Sequence, residues 1–118
     1  MRFLSMMMLA AITAALPAAA SVPQMVRQAI EQGNADGTVD GPIADEARRE
    51  LNATGALSLS VRRVYLFDQP GCARVQLDFT QALALLPGAA LPERYTWSTQ
   101  MNICADGHPP STLKRRSK

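Results

Sequence analysis

The sequence is poor in the residues that most catalytic sites need. Histidine occurs once, as His108, in a proline-rich segment that follows the last predicted strand. A general base has to be held within hydrogen-bonding distance of its proton, and a mobile exit segment does not hold it there. Ser98 and Ser111 have no identifiable orienting partner, and the adjacent Asp45 and Glu46 suit the N-terminus of a helix. We therefore expect a protein that is not an enzyme, with no catalytic residue and no cofactor.

Cysteine is also scarce, since Cys72 and Cys104 are the only two. Redox catalysis commonly uses a C-x-x-C pair, which is absent, and a zinc site needs four ligands, for which one histidine is too few. These absences argue against thiol-redox and metal chemistry. In an exported chain, two cysteines most simply form one disulfide. Such a bridge closes a loop of about 33 residues and contributes roughly 3.5 kcal/mol in the chain-entropy model.

Aromatic residues make up only 5% of the chain. Beyond residue 20 they all lie between Tyr65 and Trp97, so they do not alternate with the Lys and Arg residues. Proteins that bind single-stranded nucleic acid combine a basic groove with aromatic side chains on which bases stack. The sequence therefore disfavours nucleic acid as a partner and indicates that the aromatic residues belong to the core.

Only one long apolar run occurs, from Phe3 to Leu16. It follows Arg2 and precedes Pro17 and the small residues 18–20, which is the arrangement of a secretory signal peptide. Because a membrane-spanning helix needs about 20 apolar residues, the run predicts a signal peptide over residues 1–20, cleaved near Ala20, rather than a stable membrane anchor. The excess of Arg over Lys is typical of GC-rich bacterial genomes, so we expect a periplasmic or secreted bacterial protein.

Charge is distributed unevenly beyond residue 20, where eleven Lys and Arg stand against ten Asp and Glu. Four of these cations lie in the last five positions, as Lys114, Arg115, Arg116 and Lys118. The segment after Pro110 has too few apolar residues to pack, which is typical of a solvated terminus. We predict one small domain over residues 21–108 and a flexible basic tail over residues 109–118 that can contact a partner.

Two helices are predicted in the first half of this domain. A capping box of Ser21 and Gln24 starts the first, which spans residues 22–32. The second begins near Pro42, where proline suits the first turn, and stops before Gly55. Its predicted apolar face comprises Ile43, Ala47 and Leu51.

Beyond the helices the apolar period changes to two, which predicts three strands over residues 57–68, 72–80 and 95–104. The phase of the first strand changes along its length, and a bulge near Arg62–Arg63 would reconcile its two halves. The segment 81–93 contains prolines and a glycine, so we expect a helical turn followed by a loop there.

The two cysteines suggest a register for the second and third predicted strands. If these strands are antiparallel and Cys72 opposes Cys104, then Val75 meets Met101 and Phe79 meets Trp97 on an apolar face. The opposite face is polar and is a candidate partner surface, with the residues Arg74, Gln76, Asp78, Gln100 and Asn102. The predicted fold is α+β, with two short N-terminal helices packed on a three-stranded antiparallel meander that carries one disulfide.

The segment between the helices, residues 32–40, partly resembles the calcium-binding loop of an EF-hand. Asp36 and Asp40 fall where that loop places oxygen ligands. However, Gln32 stands at the first acidic position and Ile43 replaces the bidentate Glu, so a cation would lack most of its charge compensation. We interpret the segment as a glycine-rich interhelix loop and assign no metal ligand.

These observations predict a noncatalytic exported interaction module that binds another envelope protein, with an accessory role in a secretion or conjugation assembly as its more specific form. One alternative is a small-ligand or calcium-binding protein that uses the interhelix segment. Another is a secreted enzyme inhibitor, in which the stiff loop from Pro87 to Pro92 enters a cleft.

Overall fold

The computed structural model describes residues 21–117, which form two helices and one four-stranded antiparallel sheet. The elements in chain order are α1 (Val22–Gln32), β1 (Asn34–Val39), α2 (Pro42–Glu50), β2 (Leu57–Leu66), β3 (Cys72–Ala84) and β4 (Glu93–Cys104). The predicted signal peptide, residues 1–20, and Lys118 lie outside the described residues. Within residues 21–117, no helix combines the length and the apolar content that crossing a membrane requires.

Helix α1 has the predicted bounds because its end signals are local. The Ser21 hydroxyl accepts from the Gln24 amide at 3.3 Å, and the Gln24 side chain accepts from the Ser21 amide at 3.3 Å. Gly33 ends the helix at φ 102°, where its amide donates to the Ala29 carbonyl at 2.8 Å. A left-handed C-cap of this kind favours glycine because a Cβ atom is strained there.

The predicted interhelix loop is wrong, because residues 34–39 form strand β1 and the sheet has four strands instead of three. β1 pairs antiparallel with the first half of β2, from Asn34 opposite Arg62 to Val39 opposite Leu57. Only Ala35 and Val39 are buried, so the strand carries little apolar signal of its own.

Helix α2 begins at Pro42 and stops before Gly55 as predicted, with its last residue at Glu50, but Ile43 does not belong to its buried face. Ala44 is completely buried, whereas Ile43 is 50% exposed. Ala47 of the predicted face packs against the core. The buried side of α2 therefore includes Ala44 and Ala47, and Ile43 lies about 100° from Ala44 around the helix axis, on the exposed side.

The strands differ from prediction mainly at their ends. β3 continues through residues 81–84, where a helical turn was expected, and its pairing with β4 shifts between Gln81 and Ala84. Leu83 has a φ of 53° at this irregularity. The predicted bulge in β2 is present one residue further on, because the register shifts between Arg63 and Tyr65 and leaves Val64 unpaired.

The register inferred from the cysteines is confirmed. Cys72 lies opposite Cys104, Val75 opposite Met101, Leu77 opposite Thr99, Phe79 opposite Trp97, Arg74 opposite Asn102 and Asp78 opposite Ser98. The indole of Trp97 stacks on the ring of Phe79 with centroids 5.0 Å apart. A slip of one residue would oppose apolar to polar side chains along both strands, which explains why one register is selected.

The core lies between the helices and the first three strands. Helix α1 packs on β1, β2 and β3, and α2 packs on β2 and β3. The buried cluster comprises Met25, Val26, Ala29, Ile30, Ala35, Val39, Ala44, Leu57, Leu59, Val61, Ala73, Val75, Leu77 and Phe79. On the same face of the sheet β4 is largely uncovered, since Tyr95 is 38% and Met101 36% exposed.

Candidate functional site

The polar face of β3 and β4 is a network of hydrogen-bonded side chains. Arg74 joins the two strands by donating through Nε to Gln100 Oε1 at 2.7 Å and through Nη1 to Asn102 Oδ1 at 2.8 Å. Gln100 in turn donates to Gln76 Oε1 at 2.9 Å, and Arg62 on β2 donates to the same oxygen at 3.2 Å. Gln76 also donates to Asp78, so the structure brings together all five residues that the sequence predicted for this face.

Asp78 is the acidic end of this network. Its Oδ1 atom accepts from the Ser98 hydroxyl at 2.5 Å and from Gln76 Nε2 at 2.9 Å. These two hydrogen bonds, led by that of Ser98 and aided by the charge of Arg62, hold the pKa of Asp78 below its usual value of 3.8. The carboxylate is thereby stabilised in its charged form.

The contact between Ser98 and Asp78 joins a hydroxyl to a carboxylate whose pKa is lowered. An activated serine gives its proton to a base that accepts it, whereas a carboxylate of lowered pKa is a weak base. His108 is not positioned between them, because it lies in the turn after β4, where its carbonyl accepts from the Cys104 amide at 2.9 Å. The hydrogen bonds of this face satisfy its own polar groups, and a partner would have to compete with them.

The oxygen-bearing side chains of the segment that resembles an EF-hand loop do not point toward a common centre. Because residues 34–39 are extended, Asp36 lies on the solvent side of β1 while Gln32 ends α1. Asp36 instead belongs to a row that crosses the sheet through Ser60 and Asp78 to Ser98. Within residues 21–117, no group of three or more His, Cys, Asp or Glu side chains could hold a metal ion.

Cys72 and Cys104 are joined by a disulfide bond, as predicted. Both are buried, and Phe67 and Tyr65 pack against them to form a second apolar cluster. The bond therefore links the start of β3 to the end of β4 beside the C-terminal end of β2.

The tail pairs with the part of the β2 edge that β1 leaves open. β1 pairs with β2 only as far as Arg62. Beyond it, the Arg116 amide donates to the Leu66 carbonyl at 3.0 Å, and the Asp68 amide donates to the Lys114 carbonyl at 2.7 Å. These bonds form an antiparallel bridge between Phe67 and Arg115. Residues 111–117 are exposed, as expected of a solvated tail, but their backbone pairs with β2, because backbone pairing needs no apolar side chains.

Side chains reinforce this pairing. The Arg115 guanidinium lies 4.0 Å above the centre of the Tyr65 ring, a cation–π contact. The Ser111 amide donates to Gln69 Oε1 at 2.7 Å, and Lys114 Nζ lies 4.0 Å from Asp68 Oδ2. The tail is therefore attached at several points along residues 111–116.

A basic cleft results where the tail meets β2. We use this name for the cavity of about 540 Å³ between residues 63–66 and residues 115–117. Three arginines line it, Arg63, Arg115 and Arg116, and Arg63 is anchored because its Nη1 donates to the Ile30 carbonyl at 2.9 Å. Among residues 21–117, no acidic side chain lines the cleft, so its cations can attract an anionic group.

Two further clefts lie on the helix side of β4. One, of about 330 Å³, separates α2 from Tyr95 and Trp97, and Ile43 is part of its wall. The other, of about 240 Å³, separates α1 from Met101 and Ile103. The clefts mark the positions where the helical layer stops short of β4.

Sequence reasoning identified the cations of the tail but not the residues that hold them. Residues 63–66 carried only a strand signal, and nothing in their spacing from the tail, about 50 positions away, indicates pairing. The one signal in the sequence that could have indicated this surface is Tyr65, an aromatic residue two positions from Arg63. Among the predicted contact residues, Lys118 lies outside the described part of the chain.

Comparison with protein-family models, with curated proteins and with solved structures gave no match to this chain.

Proposed function

We propose that the chain is a noncatalytic interaction module of the bacterial envelope, exported after cleavage near Ala20, that binds another envelope protein through the basic cleft. The observation that carries this proposal is the attachment of the tail to β2, which holds Arg115 and Arg116 beside Arg63. Preorganised cations lose less side-chain entropy on binding than cations on a free tail.

An acidic segment of the partner suits this cleft best. Arginine side chains bind carboxylates through paired hydrogen bonds, and three of them around one cavity favour a segment with two or more Asp or Glu residues. Val64, which is 43% exposed, and Tyr65 add apolar contact area at the same place. An accessory role in a secretion or conjugation assembly is the more specific form of the proposal.

Crosslinking in the native envelope, followed by mass spectrometry of the captured proteins, tests the proposal. The test variant is Arg115→Gln combined with Arg116→Gln, and the control is Arg48→Gln combined with Arg49→Gln, which removes the same charge from two adjacent arginines of α2. We expect one set of captured proteins for the wild type and the control, and loss of that set in the test variant.

Truncation after Thr112 gives a second variant for the same experiment. It removes the bridge to Phe67 and should lose the same captured proteins as the double arginine variant. An unchanged set of partners in both variants would contradict the proposal.

A further inference from the structure

The outer edge of β4 has no partner strand within residues 21–117. The sheet order is β1-β2-β3-β4, so β4 pairs with β3 on one side only. Proteins usually protect such an edge with charges, prolines, bulges or a short strand. From Tyr95 to Ile103, β4 has neither a charged residue nor a proline, and its pairing with β3 is regular.

The hydrogen-bonding direction of each β4 residue follows from the ends of the strands. The Cys72 carbonyl accepts from the Phe67 amide and so points toward β2, and the Cys104 amide points away from β3 to His108. Backbone direction alternates along an antiparallel strand. The amides and carbonyls of Thr96, Ser98, Gln100 and Asn102 therefore point outward, while those of the odd-numbered residues bond to β3.

The side chains of β4 are self-complementary about Thr99. In an antiparallel pair of two β4 strands centred on Thr99, Trp97 of each copy lies opposite Met101 of the other, and Tyr95 lies opposite Ile103. On the polar face, the same register places Ser98 opposite Gln100. Aromatic residues then pair with aliphatic residues or methionine throughout, which are favourable cross-strand combinations.

This register also satisfies the backbone. It pairs Thr96 with Asn102 and Ser98 with Gln100, so each outward-pointing amide and carbonyl meets one of the other copy. A shift by one position would set outward-pointing groups against groups already bonded to β3. A shift by two would place Thr99 opposite Trp97 or Met101 and reduce the apolar pairing.

We propose that two copies of this chain pair through β4, antiparallel and centred on Thr99, to form a continuous eight-stranded sheet. The axis of such a dimer is perpendicular to the sheet, so the helices of both copies lie on the same face. The cleft beside α2 of one copy then adjoins the cleft beside α1 of the other. The exposed ring of Tyr95 and the half-buried ring of Trp97 then lose water contact against Ile103 and Met101 of the second copy.

The charges at the two ends of β4 are compatible with this arrangement. In this register Arg94 of one copy lies opposite Cys104 of the other. Asp106, two positions after Cys104, therefore brings a negative charge near Arg94. Neither charge belongs to an ion pair within the described chain. No like charges oppose each other along the shared edge, in contrast to edges that resist self-association.

Sedimentation equilibrium of the protein expressed as its full chain and purified after export tests the pairing. We expect a mass of two chains over a broad concentration series. Gln100→Pro should reduce it to the mass of one chain, because proline removes an outward-pointing amide without removing a bond to β3. Gln100→Ala loses the same side-chain contacts but keeps the amide, so it should remain a dimer.

Two results would overturn the proposal. One is a wild-type protein that has the mass of a single chain at every concentration. A different protein that copurifies bound to β4, in place of a second copy, counts as the same result. The other is a Gln100→Pro protein that keeps the circular dichroism of the wild type and also keeps the dimer mass.

Cysteine crosslinking tests the register and decides the matter if Gln100→Pro does not fold. Thr99→Cys places one thiol beside its copy at the axis, so mild oxidation should produce a disulfide between chains and double the mass on a nonreducing gel. Ser98→Cys and Gln100→Cys lie off the axis and should crosslink more slowly. If Ser98→Cys or Gln100→Cys crosslinked faster than Thr99→Cys, the register would be contradicted. If none of the three variants crosslinked, the pairing through β4 would be contradicted.

The outcomes for the dimer and for the proposed function are separable. Gln100→Pro leaves the basic cleft unchanged, and the variants of Arg115 and Arg116 leave β4 unchanged. A monomeric protein whose crosslinks depend on the cleft would reject only the dimer, and a dimer without such crosslinks would reject only the proposed function.

Discussion

The side-chain amide of Gln81 connects the end of β3 to the segment before β2. It is completely buried, and it is the sole buried polar side chain within residues 21–117. Its Nε2 atom donates to the carbonyls of Gly55 at 2.9 Å and Ala82 at 3.0 Å. Such hydrogen bonds are strong in a low-dielectric interior. Replacing the Nε2 donor of Gln81 by an acceptor would leave the carbonyls of Gly55 and Ala82 without a partner.

We predict that Gln81→Glu destabilises the fold. At neutral pH a carboxylate would face carbonyl oxygens, and we expect the free energy of unfolding to fall by about 2 to 4 kcal/mol. Burial among carbonyls raises the pKa of such a carboxyl, so stability should recover in part as the pH falls toward 5. Urea unfolding followed by Trp97 fluorescence measures both effects.

The exposed Gln28→Glu is the control for Gln81→Glu. Gln28 lies on the solvent side of α1, where its amide bonds only to Gln32. We expect a change within about 0.5 kcal/mol at either pH, as is usual for surface positions. Equal losses in the two variants would contradict the role assigned to Gln81.

Asp78 gives the protein a pH-dependent stability. Its pKa in the folded state is lowered from 3.8, first by the hydrogen bond from Ser98. The folded state therefore binds the proton less readily than the unfolded state, so this stabilisation is fully present above pH 3.8 and is lost as the pH falls below it.

We predict that Asp78→Asn removes this contribution. The melting temperature of the wild type should fall more steeply below pH 3.8 than that of the variant, and the two slopes should agree above about pH 5. Calorimetric scans at several pH values measure the slopes. Parallel curves over the whole acid range would show that the network does not favour the charged form.

At the scale of the elements, the sequence predicted those whose signals are local. Helix α1 carries its own capping box and its own terminal glycine, and the register of β3 with β4 followed from two cysteines and two alternating faces. Strand β1 has only Ala35 and Val39 as buried residues and depends for its hydrogen bonds on β2, whose paired residues lie about 18 to 28 positions away. Non-local pairing of this kind leaves little pattern in the sequence.

The same distinction explains the functional surfaces. The sequence predicted the tail from its charge. Its attachment to β2 could not be predicted, because it uses the edge of β2 beyond Arg62, which is open only because β1, a strand that was not predicted, is short. The polar face could be predicted from alternation alone. The predicted meander also places β4 at an edge of the sheet, whereas the incomplete covering of β4 by the helices is seen only in the folded structure.

We predict that loss of the disulfide weakens the pairing of β3 with β4 without preventing it. The double change Cys72→Ser and Cys104→Ser should lower the free energy of unfolding by about 3 kcal/mol. Urea unfolding of this variant, of the oxidised wild type and of the reduced wild type measures the effect. The reduced wild type should match the variant, and a stability equal to that of the oxidised protein would contradict the prediction.

At the scale of the whole molecule, stability is concentrated beneath the helices. Leu57, Leu59 and Val61 on β2 are all at most 2% exposed, whereas the large side chains of β4 are half-covered or exposed. Residues that contact many others in a packed interior cost more to truncate than residues at its margin.

We predict that Leu59→Ala lowers the free energy of unfolding by about 2 to 5 kcal/mol. The control is Leu91→Ala, at a site that is 73% exposed in the loop before β4, where we expect a change within about 0.5 kcal/mol. Denaturant titration of both variants measures the difference. Similar losses at the two sites would show that the core is not centred on β2.

The short connections around β1 have a consequence for the helical layer. Gly33 alone joins α1 to β1, and only Asp40 and Gly41 separate β1 from α2. Both helices are therefore connected by short segments to β1, which lies at the opposite edge of the sheet from β4. These connections are too short for either helix to move over β4. The unequal covering of the sheet is therefore a matter of chain length, and a substitution that made β4 more apolar would not draw a helix over it.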